Sequence, residues 1–186
     1  MCSIKWSELM KSKDEIYDLI INDTEAYNEY KASISEELEL SELDFSSQDI
    51  YDADFTDSDM VDSSFFESTL TKCSFVNCDL TSVDFSRTKL IECDFSDALL
   101  NGTNFSYSQI EYCNFTDSDM AGAILLETTF DNTDLSASLN LQASRFDETT
   151  VWPDDEYLPD GFDSKSASDL SDLKDEEDYN SSDSDY

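Results

Sequence analysis

Every fifth residue from Leu40 to Leu135 is apolar: Leu40, Phe45, Ile50, Phe55, Met60 and onward without a break. In a chain with 39% hydrophobic residues, twenty such positions in a fixed frame arise by chance roughly once in a hundred million trials, so the period is a structural rule. A second rule runs in register. Two residues before each centre from Phe55 on stands a small residue, as at Ala53, Ser58, Ser63, Ser68, Cys73 and Cys78. The residue just before the centre is often Asp or Asn, as at Asp44, Asp54, Asp59, Asp94 and Asn114. A period of five fits neither a helix nor a plain strand alternation, so the chain must bend once per repeat. Large and small residues two apart share one face of a short extended segment. Both therefore point inward, into an interior too narrow for two large side chains per repeat. Short Asp and Asn side chains suit the bends because they hydrogen-bond turn backbone.

The five residues from Cys93 to Asp97 (Cys-Asp-Phe-Ser-Asp) and from Ser118 to Gly122 (Ser-Asp-Met-Ala-Gly) carry the pattern in full. In these motifs the chain resembles the pentapeptide-repeat family, whose motif is A(D/N)LXX, over about residues 38–151. The resemblance implies an all-β fold: a right-handed quadrilateral parallel β-helix with four pentapeptides, or 20 residues, per coil. Coils stacked at about 4.8 Å would make a rod roughly 24 Å long from five coils. Phenylalanine fills every second centre from Phe45 to Phe115, so a four-sided coil places the rings in two stacked columns on opposite faces. The register slips after Leu135. Phe146 and Val151 resume it one residue out of phase, which predicts a bulge or short loop around Ser138 to Leu141.

Residues 1–37 read as an N-terminal helical cap. Trp6, Leu9, Met10, Ile16, Tyr17, Ile20 and Ile21 form a helical stripe within 4–31, and Ser12 with Glu15 forms a capping box for a second segment. Asn22 or Asp23 breaks that segment and caps another helix ending near Ala32. The segment from Glu25 to Lys31 resembles the EAWNxWR-like lead-in of many pentapeptide-repeat domains. Such a cap would cover the open edge of the first coil. Residues 152–186 form a terminal segment and tail with 13 acids and two lysines. Val151, Trp152 and Pro153, with residues 159–163, resemble the usual family terminus. From Ser164 on, the composition buries too little apolar surface to fold, and a disordered acidic tail is expected.

The chemistry of the chain narrows its function. No histidine occurs, which excludes a Ser-His-Asp triad and a HExxH zinc site. Three glycines, Gly102, Gly122 and Gly161, do not supply a phosphate-binding loop. Asp52, Asp54, Asp57 and Asp59 hint at calcium but lack the loop glycine and closing glutamate of an EF-hand. Cys73, Cys93 and Cys113 lie 20 apart and should stack inward as small filler, in an arrangement that does not form a tetrahedral thiolate site. No catalytic residue, metal site or cofactor is assigned. The five cysteines form no CxxC pair, and their odd number fits reduced thiols. No apolar run approaches the ~18 residues of a membrane span, and Met1 to Lys13 lacks a signal-peptide core. A soluble, cytoplasmic protein is expected.

Charge points to the partner. The chain carries 45 acids, 10 bases and a net charge of −35. It should be repelled by nucleic acid and anionic membranes and attracted to a basic protein. PheThrAspSerAspMet occurs at 55–60 and again at 115–120, three coils apart on one face. The candidate acidic interaction face is Asp57, Asp59, Asp79, Asp97, Asp117 and Asp119. Phe66 and Leu126, also 60 residues apart, are the candidate apolar contact, and exposed aromatics leave a homodimer open. The leading function is a non-catalytic protein-interaction scaffold presenting an acidic rod. The alternative, permitted by the resemblance, is a DNA mimic that inhibits or protects a DNA-binding enzyme such as gyrase.

Overall fold

In a computed structural model, which describes residues 10–166, the chain winds into a parallel β-solenoid of five coils with the start of a sixth. Two helices precede it, α1 (Lys13–Asn22) and α2 (Thr24–Ser33). Each coil has four faces, named here for the centres of one coil: Phe75, Leu80, Phe85 and Leu90. On the Leu90 face the strands β2 (Asp49–Tyr51), β4 (Thr69–Thr71), β5 (Lys89–Ile91), β6 (Gln109–Glu111) and β7 (Thr129–Asp131) form one parallel sheet, each in register with the residue 20 further on. The Leu80 face begins with β1 (Leu38–Glu39) paired to β3 (Ser58–Asp59). Elsewhere single bridges repeat at the same spacing, as in Asp54, Ser74, Asp94, Asn114 and Asp134.

The bend that the period demands is a left-handed residue two after each centre. From Glu42 to Asn132 every such position has φ between +48° and +73°. That conformation is costly for β-branched residues. None stands there, whereas Thr56, Val61, Thr71, Val76, Thr81, Ile91 and Thr116 occupy the position just before it. At three corners per coil the turn closes with a bond such as Val83 N–H to the Leu80 carbonyl at 3.1 Å. The corner after the Leu90 face is instead a bend leading out of a three-residue strand.

Inside, the phenylalanines stack in two columns. Phe65 and Phe85 lie 5.0 Å apart at 5°, Phe75 and Phe95 4.9 Å apart at 7°, and Phe75 meets Phe85 edge-on at 5.6 Å. The small inward residues are more than filler. Ser68, Thr88, Thr103 and Thr128 donate to the centre carbonyls of Phe45, Phe65, Leu80 and Phe105 one coil back, at 2.7–2.8 Å. Cys73, Cys78, Cys93 and Cys113 are buried, free thiols in the same class of position. Burial pushes the Cys78 thiol up to about 12.

The cap continues both columns. Tyr17 stacks on Phe45 at 5.2 Å, and Tyr27 lies over Phe55 at 5.8 Å. The Asn28 side chain acts as a missing strand: its amide donates to the Asp52 carbonyl at 2.7 Å and its oxygen accepts the Asp54 N–H at 3.0 Å. The Ser12–Glu15 capping box is formed, and Asp23 caps α2 through the Ala26 N–H. The helical stripe runs shorter than expected. Residues 10–12 are not helical and Met10 is exposed, because the capping box starts α1 at Lys13. Trp6, Leu9 and the acidic tail from residue 167 on lie outside the described residues.

Two slips end the repeat where one is expected. Asn140 turns left-handed, and Leu141 fills the next centre within a 3-10 turn, Leu141–Ala143. Ile124 then pairs with Arg145, 21 residues on, and Thr129 with Val151, 22 on. Val151 is therefore not a centre, and it is 52% exposed. Trp152 takes that place and stacks on Phe130 at 5.6 Å and 8°, with Phe146 and Phe162 against its edges.

Candidate functional site

The register distributes charge unevenly around the coil. On the Phe75 face and its corner stand Asp54, Asp57, Asp94, Asp97, Asp117 and Asp134. The adjoining Leu80 face and its corner carry Glu39, Glu42, Asp59, Asp62, Asp79 and Asp119. Residues 38–151 contain four bases, Lys72, Arg87, Lys89 and Arg145, and all lie on the Phe85 and Leu90 faces. There Lys72 pairs with Glu92 at 3.8 Å, Lys89 with Glu111 at 2.9 Å, and Arg87 covers the Tyr107 ring. Two adjoining faces thus carry only negative side-chain charge within the coil.

The expected acidic residues fall into two columns on this surface. Asp57, Asn77, Asp97 and Asp117 occupy successive left-handed corners, and all four are exposed. Asp57 accepts from the Asn77 amide at 2.7 Å, so a neutral donor separates like charges. Asp59, Asp79 and Asp119 are half-buried. Each holds a local turn, accepting from the backbone N–H of Val61, Thr81 and Ala121 at 3.0–3.1 Å. The Asn140 amide beside Asp119 holds its carboxyl below the usual range. The corner column therefore presents free charge, and the inner column spends part of its charge on its own turns. At the top, an open cleft of about 530 Å³ joins Asp54, Asp57 and Asn77 to Glu36, Glu37 and Lys31 of the cap.

Phe66 and Leu126 share one column, three coils apart, and both are half-buried, with the nearly buried Ser86 and Ser106 between them. Tyr51, Tyr107 and Tyr112 are exposed around the Leu90 face. Leu99 and Leu139, which the five-residue register does not single out, are 45% and 47% exposed on the Leu80 face. Their sequence signal is a leucine where the Asp59–Asp79–Asp119 column places aspartate. Among the described residues, no group of three or more His, Cys, Asp or Glu is arranged to hold a metal ion, and no helix is long and apolar enough to cross a membrane.

A coil of stacked five-residue repeats with a flank whose only charges are acidic defines a repeat solenoid that displays side chains on a lattice. The family model for pentapeptide repeats matches overlapping segments that together span residues 49–150, and the chain belongs to this family. Similar solved structures include a pentapeptide repeat protein from the Arabidopsis thaliana thylakoid lumen, 24% identical over 67% of this chain and 74% of that one, with a TM-score of 0.43. Rfr23 from the cyanobacterium Cyanothece 51142 is 18% identical over 69% and 99%, with a TM-score of 0.45. A trypsin-treated form of QnrB1, a plasmid-mediated fluoroquinolone resistance protein, is 13% identical over 62% and 75%, with a TM-score of 0.33. No curated protein matches the chain.

Proposed function

We propose that the protein is a non-catalytic scaffold that binds a basic protein across its Phe75 and Leu80 faces. The observation that carries this reading is the confinement of all four coil bases to the other two faces. A chain that needed acidity for solubility alone would gain nothing from sorting its bases. The exposed corner Asp57, Asp97 and Asp117 make the principal contacts, and Asp59, Asp79 and Asp119 add field from beneath. A basic partner is drawn by the summed potential, and its binding weakens with salt as exposed charges are screened over about 10 Å at 0.1 M. The four buried free thiols suit a reducing compartment such as the cytoplasm.

The test is retention of proteins from a lysate on the immobilised chain, compared with a variant carrying Asp57, Asp59, Asp97, Asp117 and Asp119 each replaced by Asn. Asn keeps the turn acceptor and tolerates the left-handed corner, so the fold survives. Basic proteins retained by the parent and released by the variant support the reading. Equal retention by both removes this surface. A DNA mimic must in addition compete with duplex DNA, and inhibition of supercoiling by purified gyrase in the parent but not the variant would favour that reading over a general scaffold.

A further inference from the structure

The lower half of the Leu80 face departs from its acidic upper half. Leu99 and Leu139 stand two coils apart in the column that holds Asp59, Asp79 and Asp119, with Asp119 between them, and both are exposed. The neighbouring outward column runs Asn101, Ala121 and Ala143, and the Asn101 amide donates to the Ala121 carbonyl at 3.3 Å. The next corner carries Gly102 and Gly122. Neither glycine is demanded by its surroundings. Seventeen other corners of the ladder, from Glu42 to Asn132, hold non-glycine residues at similar φ. A Cβ on Gly102 would meet only Ser82 Oγ at 3.8 Å, and one on Gly122 the Gly102 nitrogen at 3.7 Å, both ordinary contacts. What the two glycines leave is a corner free of side chains, flanking two exposed leucines.

We propose that Leu99, Leu139, Ala121, Ala143 and the bare Gly102–Gly122 corner form a dock for an amphipathic basic segment of the partner, with Asp119 between the two leucines and Asp97 and Asp117 along one edge. The proposal rests on the acidic-surface reading and adds the anchor that reading lacks. Rim charges steer an encounter and set its salt dependence, while desolvated apolar groups near the centre supply most of the binding energy. Charge complementarity fixes the occupant. Apolar side chains meet the leucines, and lysines or arginines meet the aspartates, on faces where the coil offers no base of its own. A second copy of this chain, at a net charge of −35, would bring like charge against those aspartates.

Two synthetic helical peptides of equal length and charge separate the anchor from the charge. One carries lysine and leucine on opposite faces, the other lysine and serine. Titrated against the full-length protein, the lysine–leucine peptide should bind about tenfold or more tighter. Leu99→Ser with Leu139→Ser should bring it down to the level of the lysine–serine peptide and leave the latter unchanged. Gly102→Asn with Gly122→Asn, a residue that stands left-handed at the Phe75-face corner as Asn77, should weaken the lysine–leucine peptide without changing net charge. Equal affinity of the two peptides for the parent overturns the dock but leaves the acidic surface standing, as does an unchanged affinity in the Leu99→Ser, Leu139→Ser variant. Failure of both peptides to bind at low salt overturns the acidic surface as well.

Discussion

At the scale of single residues, inward and outward positions differ in cost. Phe85 is fully buried, stacked on Phe65 and Phe105 and met edge-on by Phe75 and Phe95. Phe85→Ala leaves a hole that two rigid columns cannot close, and it should cost about 3–5 kcal/mol in chemical denaturation. Phe66 is half-buried at an outward position, so Phe66→Ala should cost well under half as much. Equal losses would contradict the inward assignment. These positions are legible in the sequence because one residue in five must be large and apolar. The hydroxyls of Thr88, Thr103 and Thr128 are less so. Their size is set by the narrow interior, and only the stacked geometry brings each one to the centre carbonyl of the coil before it.

At the scale of elements, the corner and the cap govern the stack. The absence of β-branched residues at left-handed corners, beside their frequency one position earlier, is a sequence signal as regular as the apolar centres. The second slip was not legible in the same way. Val151 and Trp152 are both apolar, and only the pairing of Thr129 with Val151 decides which turns inward. The cap was legible through its capping box and Asp23, but the role of Asn28 was not, because an amide standing in for a strand has no periodicity. Asn28→Leu removes both of its bonds to the first coil. It should cost about 1 kcal/mol and speed hydrogen exchange at the Asp54 amide, while amides of the Phe85 coil stay protected. Unchanged exchange at Asp54 would show that water replaces Asn28 without loss.

For the whole molecule, the sorted charge is the feature that packing does not explain. Two unit charges one coil apart in water repel by about 0.9 kcal/mol, a small cost that salt reduces further. Asn77 between Asp57 and Asp97, and Asn114 bonded to Asp94 at 3.0 Å, lower it again. The fold therefore tolerates a flank whose only charges are acidic without requiring one. The most direct measurement holds net charge constant and moves its place. One variant neutralises Asp57, Asp59, Asp97, Asp117 and Asp119. Its control neutralises Asp49, Asp52, Glu67, Glu127 and Asp131 on the other two faces, by Asn for Asp and Gln for Glu. Both go from −35 to −30, five charges fewer. Titrated with the lysine–serine peptide at low salt, the first variant should lose about tenfold in affinity and the control no more than about twofold. Equal losses in the two variants would contradict the account, because net charge alone would then govern binding.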